Sequence, residues 1–223
     1  MTAHATLLPF YMLCDVSASM REDDRIEALQ EAVVATCDAA AMHPVVADRV
    51  RFGIISFASR AEVTLPLCDV GTMSEIPRLA ARDLTSYAAA FTVARGIIEL
   101  DVAQLVGDGF RVFRPTIFFL TDGRPTDEAG EWRDALARLL DPAFPHRPNI
   151  VAFGIGDADA ALLGEVATIA AYTSADATSS PAAIAAFGSL LVGSVVASGA
   201  SGQLRLPDNV PRGLETVPHE DLV

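Results

Sequence analysis

The sequence predicts an α/β protein: a doubly wound, mostly parallel sheet with one antiparallel edge strand and helices on both faces. Three observations predict it. Short, continuously apolar runs recur along the chain, as strands buried on both faces require. Between them lie segments whose apolar residues return every third or fourth position, the period of a helix with one buried side. The two patterns alternate, which is the signature of repeated βαβ units.

Leu7 to Cys14 is the first apolar run, ended by Asp15. From Asp23 to Met42, Ile26, Leu29, Val33, Cys37 and Ala40 keep helical spacing, with acids in the first turn and His43-Pro44 as the stop. Val50 to Phe57 is a second strand, and Ala61 to Leu67 a short alternating third, joined by a tight connection that predicts an antiparallel hairpin edge. Ser86 to Leu105 carries Phe91, Ala94, Ile97, Ile98 and Val102 at helical intervals. Pro115 to Thr121 is an apolar strand ending in the Asp122-Gly123 turn. A helix over Glu128 to Leu140, a strand over Asn149 to Ile155, a helix over Ala158 to Ala167 and a short strand over Ala170 to Thr173 complete the alternation. Pro181 to Ser198 has no charge, but Ile184, Phe187, Leu191 and Val195 fall on one side, so a buried helix is expected there and not a membrane span. The domain is expected over residues 1–200, followed by an extended or disordered tail over 201–223, where three prolines and lost periodicity end the pattern.

Composition narrows the function. The chain is 51% apolar and 20% charged, with sixteen basic against twenty-nine acidic residues and a formal charge of −13. Disordered, collagenous and disulfide-scaffold classes do not fit these values. Lysine is absent, and the arginines are scattered, so no cationic face exists to neutralise phosphates and no nucleic-acid partner is expected. Cys14, Cys37 and Cys68 form no metal-ligand or disulfide spacing. With no charged leader ahead of the first apolar run, a cytoplasmic setting is the expectation. His4, His43, His146 and His219 lie apart and receive no role, and Trp132 is expected to pack on the sheet.

In such a sheet, ligands bind beyond the carboxyl ends of the strands, where the strand order reverses. The polar residues at those ends are Asp15-Val16-Ser17-Ala18-Ser19, Asp83-Leu84-Thr85-Ser86 and Thr121-Asp122-Gly123. The carboxylates and hydroxyls among them, without His or Cys, suit a hard divalent cation. The spacing of Asp15, Ser17 and Ser19 fits a loop curled around an ion better than a helix face. With few negative charges around it, the ion keeps an excess of positive charge and attracts an external carboxylate.

These residues resemble the metal-ion-dependent adhesion site of von Willebrand factor type A (VWA) domains: DVSAS after a buried strand, a Thr opening a helix, and FFLTDGRPTD, in the family's order. The resemblance implies a Rossmann-like fold, with Asp15, Ser17 and Ser19 as first-loop ligands, Thr85 (or the adjacent Ser86) as the second-loop ligand and Asp122 as the third-loop ligand. It implies Mg²⁺, with Mn²⁺ or Ca²⁺ as alternatives, and a protein partner whose Asp or Glu completes the coordination. Arg124, Pro125 and Arg60 would form the rim that contacts the partner. Where the family usually has glycines before the Thr, this sequence has Asp83-Leu84. LPFYMLCDVSASM, IISFASRAEVTLPL, VAFGIG and FGSLLVGSVVASGASG are similar to the bacterial tellurite-resistance TerY-type branch. That similarity implies a stress-response or phosphorylation module containing a Ser/Thr kinase or PP2C-type phosphatase; a VWA partner of a MoxR-type AAA+ ATPase is the alternative.

An enzyme reading is weaker. No phosphate-binding glycine loop follows a strand. In aspartyl phosphoryl transfer a second Asp stands two residues after the nucleophile, but here that residue is Ser17, and no Lys exists to stabilise the transferring group. A binding module without catalysis is therefore the expectation.

Overall fold

The computed structural model describes residues 5–73, 75–175 and 178–218; His4 and His219 lie outside them. Strand β1 (Thr6–Asp15) is the middle of the sheet, and every residue after Thr6 is buried. Leu8, Phe10, Met12 and Cys14 face one half of the core, whereas Tyr11 and Leu13 face the other. This period-two alternation within an unbroken apolar run means that both faces are covered.

β2 (Val50–Phe57) and β5 (Thr116–Thr121) flank β1 in parallel, from Leu8↔Val50 to Asp15↔Phe57 on one side and Phe10↔Thr116 to Cys14↔Leu120 on the other. β6 (Asn149–Gly154) and β7 (Ala170–Ser174) continue the parallel sheet beyond β5. β3 (Ala61–Asp69) pairs antiparallel with β2, as the tight connection predicts. The order is β3-β2-β1-β5-β6-β7-β8, where β8 is Leu214–Thr216, with the two-residue β4 (Arg111–Val112) paired to the start of β1. The expected doubly wound, mostly parallel sheet is therefore present.

Helices α1 (Arg25–Ala41), α2 (Pro44–Arg49) and α6 (Ser180–Ser201) cover one face. α3 (Tyr87–Gly107), α4 (Ala129–Leu139) and α5 (Ala160–Val166) cover the other. α6 is long and apolar enough to cross a membrane, but 61% of its most apolar stretch is buried in this fold. It packs closely on α1 because Gly188 faces Ala32: a Cβ on Gly188 would lie 2.9 Å from the Ala32 Cβ.

Three elements differ from expectation. Pro44 does not leave a loop behind it; it occupies the first turn of α2, where its missing N–H costs no hydrogen bond. α1 starts at Arg25 and not Asp23, because Asp23 and Asp24 both adopt left-handed backbone conformations (φ 51° and 55°). The sheet has a second antiparallel edge, β8 (Leu214–Thr216), formed by residues of the segment read as a tail and paired with β7. Gly213 at φ 102° turns the chain into that strand, and Leu214 inserts into the core.

Candidate metal centre

β1 and β5 are hydrogen-bonded neighbours, yet β1 leads toward α1 on one face while β5 leads toward α4 on the other. Their outgoing loops diverge and open a crevice at the carboxyl edge, the switch point of a doubly wound sheet. Asp15 ends β1, and Asp122 follows β5 directly, so the sheet register brings two residues distant in sequence to the crevice. Asp15 is 0% exposed and Asp122 2%.

The first and third loops are joined by side chains. Ser17 N–H donates to Asp15 Oδ1 at 2.8 Å, curling the first loop back on its own carboxylate. Ser19 Oγ donates to Asp122 Oδ1 at 2.8 Å and lies 3.1 Å from Ser17 Oγ. The Ser19 proton is committed to the carboxylate, so Ser17 supplies the proton of the second contact. Thr121 Oγ1 donates to Asp15 Oδ2 at 2.6 Å. Tyr87 OH sits 2.9 Å from the Gly123 carbonyl and 3.2 Å from Thr121 Oγ1, supporting the same loop from α3. Burial raises the Asp15 carboxyl from 3.8 to about 6, and the bonds from Thr121 and Ser17 restrain the shift. Burial also pushes the Tyr87 phenol and the Cys14 thiol well up, which leaves both neutral.

The second loop is held by backbone bonds. Arg82 N–H donates to Val16 O at 2.7 Å and Ala18 N–H to Asp83 O at 2.9 Å. Asp83 adopts φ 57°, a conformation that glycine takes freely and Asp tolerates better than most residues. The loop therefore turns without the glycines of the family pattern. Ser86 Oγ accepts from Ala89 N–H at 3.0 Å and caps α3. Thr85 is 6% exposed, and its hydroxyl makes no hydrogen bond among the described residues. Its carbonyl instead accepts from Thr126 N–H at 2.7 Å and Thr126 Oγ1 at 2.8 Å, tying the second loop to the third. Of the two adjacent hydroxyls, Thr85's is free to ligate and Ser86's is used in the cap.

On the rim, Arg60 is exposed and Pro125 half-buried. Arg124 is exposed and pairs with Asp159 at 3.0 Å. Leu84, next to Thr85, is 63% exposed. Asp127 accepts from Ala88 N–H at 2.9 Å in the first turn of α3. Trp132 is buried, edge-to-face with Tyr87. Sequence reasoning placed Thr121 at a strand end without a role, and missed Tyr87 as a support and Arg25 as a neighbour of Asp122.

The donor set fits a hard divalent ion. No group of three or more His, Cys, Asp or Glu gathers among the described residues, so hydroxyl oxygens must share the ligation with the two carboxylates. Both carboxylates are buried, and the one guanidinium among their hydrogen-bond and ion-pair partners is that of Arg25, on Asp122. A dication offsets the remaining negative charge. Asp15, Ser17, Ser19, Thr85 and Asp122 would hold it.

The sequence profile of the von Willebrand factor type A domain matches residues 10–124, just over half of the chain and all three loops of this site. The chain belongs to the VWA family. Solved structures are similar to it over most of its length. A von Willebrand factor type A protein from Catenulispora acidiphila superposes with TM-score 0.63 at 17% identity, covering 86% of this chain and 43% of that one. The pilus adhesin SpaC of Lactobacillus rhamnosus GG gives 0.66 at 15%, covering 87% and 31%. Proximal thread matrix protein 1 of mussel byssus, with a zinc-occupied MIDAS motif, gives 0.58 at 16%, covering 86% and 48%. At these identities the likeness establishes the fold, and the VWA chain spans less than half of each of these proteins. Among curated proteins, none matches the sequence.

Proposed function

We propose that this VWA domain is a divalent-cation-dependent protein-binding module in which a partner's Asp or Glu completes the coordination of Mg²⁺. The observation that carries the reading is the gathering of the buried Asp15, Ser17 and Asp122 and the half-buried Ser19 into one hydrogen-bonded cluster at the switch point, with no hydrogen bond on the Thr85 hydroxyl among the described residues. When bound, the ion supplies a Lewis-acidic position with surplus positive charge. The chain's own residues hold the loops, keep both carboxylates in place and exclude water from their inner oxygens. Arg124, Pro125, Arg60 and the exposed Leu84 surround the opening and would set partner choice.

The partner classes that follow from the sequence texture are a Ser/Thr kinase or PP2C-type phosphatase in a bacterial, cytoplasmic stress-response or tellurite-resistance-type module. A MoxR-type AAA+ ATPase is the alternative. The reading assigns the chain no catalysis of its own, because the buried Asp15 has no lysine near it and Ser17 stands where a phosphoryl-transfer enzyme places its second Asp.

The test is calorimetric titration of Mg²⁺, Mn²⁺ and Ca²⁺ into chelator-treated wild type, Asp15→Ala and Asp122→Ala, with phosphatase and ATPase assays on the same samples. Saturable binding in wild type, lost in both folded variants and without turnover, is the expected result. Equal binding in all three, or metal-dependent turnover, overturns it.

A further inference from the structure

Between the first-loop serines and α1, the chain spends seven residues, Ala18–Asp24, on a 3-10 stretch that breaks at Glu22 (ψ 145°) and turns through the left-handed Asp23 and Asp24. Two consecutive non-glycine residues in that region are costly, and the surrounding structure has to enforce them. The effect is to place Arg25, the first residue of α1, with its guanidinium directed back at the metal centre. Nη1 donates to Asp122 Oδ2 at 2.9 Å, opposite the oxygen that receives Ser19. The Arg25 side chain is 11% exposed and the Asp122 side chain 0%. Arg25 Nε is buried with no hydrogen-bond partner among the described residues. The guanidinium lies against Gly156, where a Cβ would come within 3.3 Å of Nη2. Glu22 and Asp23 add only long, exposed contacts of 3.9 and 3.6 Å. A cation is thus built into the ligand cluster itself.

We propose that Arg25 is a resident counter-cation that weakens the site's intrinsic hold on a divalent ion and makes tight metal binding depend on an acidic partner. This rests on the metal-site reading above. Asp15 and Asp122 contribute two negative charges and Arg25 one positive, leaving −1. A dication brings the cluster to +1, and a partner carboxylate brings it to zero. Without Arg25 the cluster is −2, and the dication neutralises it alone. A fixed like charge paired with one of the two carboxylates that would hold a dication is worth at least about tenfold in affinity. Gln at this position keeps an N–H for Asp122 and removes the charge, whereas Lys keeps the charge.

Mn²⁺ is titrated into metal-free wild type, Arg25→Gln, Arg25→Lys and Asp15→Ala, in chloride and in acetate of equal ionic strength, with thermal unfolding as a folding check. Arg25→Gln is expected to bind Mn²⁺ at least about tenfold more tightly than wild type, with Arg25→Lys close to wild type. Acetate is expected to tighten binding in wild type more than in Arg25→Gln. Wild-type binding with Arg25→Gln equal or weaker overturns the role of Arg25 while leaving the metal site standing. An equal acetate effect in the two proteins overturns the coupling. If no protein binds Mn²⁺, or Asp15→Ala binds like wild type, the metal-site reading itself falls, and the Arg25 proposal with it.

Discussion

Replacing Thr121 by Val takes one hydroxyl from beneath the metal centre and nearly preserves the side-chain shape. That hydroxyl donates to Asp15 Oδ2 at 2.6 Å and receives Gly123 N–H at 3.3 Å. Asp15 is 0% exposed, so water does not replace the lost donor. A hydrogen bond to an ionised group is worth about 1.5–3 kcal/mol, and one between neutral groups about 0.5–1.5 kcal/mol. Which value applies depends on pH. Asp15 titrates at about 6 in the folded protein against 3.8 ordinarily. The folded state holds that proton more tightly than the unfolded chain, so this group's contribution to stability falls as pH rises from 3.8 toward 6. Above about 6 the ionised carboxylate is a standing cost, which the Thr121 bond reduces. Urea unfolding of the metal-free variant is therefore expected to show a loss of about 1.5–3 kcal/mol at pH 8, shrinking to about 1 kcal/mol at pH 5. In an Asp15→Asn background the difference between the two pH values is expected to vanish. Equal losses at both pH values, or a pH-dependent loss that survives in Asp15→Asn, would refute the argument.

The two adjacent hydroxyls of the second loop separate cleanly. Ser86→Ala removes the α3 cap and is expected to cost about 1 kcal/mol in urea unfolding while leaving Mn²⁺ affinity unchanged. Thr85→Val, which removes a hydroxyl with no hydrogen-bond partner among the described residues, is expected to leave stability within about 0.5 kcal/mol and weaken Mn²⁺ binding. The reverse pattern would make Ser86 the ligand. On the opposite side of the sheet, Gly188→Val drives a side chain into Ala32 of α1 and is expected to cost about 1–3 kcal/mol, read as a lower urea midpoint with metal affinity retained. An unchanged midpoint would mean that α6 and α1 do not pack as closely as described.

What the sequence revealed, and what it hid, follows from where the information lies. Strands covered on both faces must be apolar throughout, so β1, β2, β5 and β6 stood out as runs, and their carboxyl ends located the site. The antiparallel β8 is only Leu-Glu-Thr among prolines and glycines; its pairing is decided by the free edge of β7, a tertiary fact with no local pattern. α2 was concealed by Pro44, which ends one helix and begins another with the same missing donor. Nothing in the sequence marked Arg25, because two residues in left-handed conformation had to be known before its direction was. Thr121 looked like the last residue of an apolar strand. Its role appears only when the β1–β5 register sets it beside Asp15.

The cluster is already held in place by hydrogen bonds. Each inner carboxylate oxygen already has a donor: Ser17 N–H and Thr121 on Asp15, Ser19 and Arg25 on Asp122. A hydroxyl that ligates a metal keeps its proton, and Ser19 already directs its own at Asp122, so its lone pairs can turn to an ion without loss of that bond. The contact that has to yield is Ser17 Oγ–H to Ser19 Oγ, a neutral bond worth about 1 kcal/mol. Loop rearrangement is therefore a small term, and the large one is electrostatic: the net charge around the two aspartates. If the proposed site holds a divalent ion, its affinity is then set less by the candidate ligands, which the sequence displays, than by Arg25, which it does not.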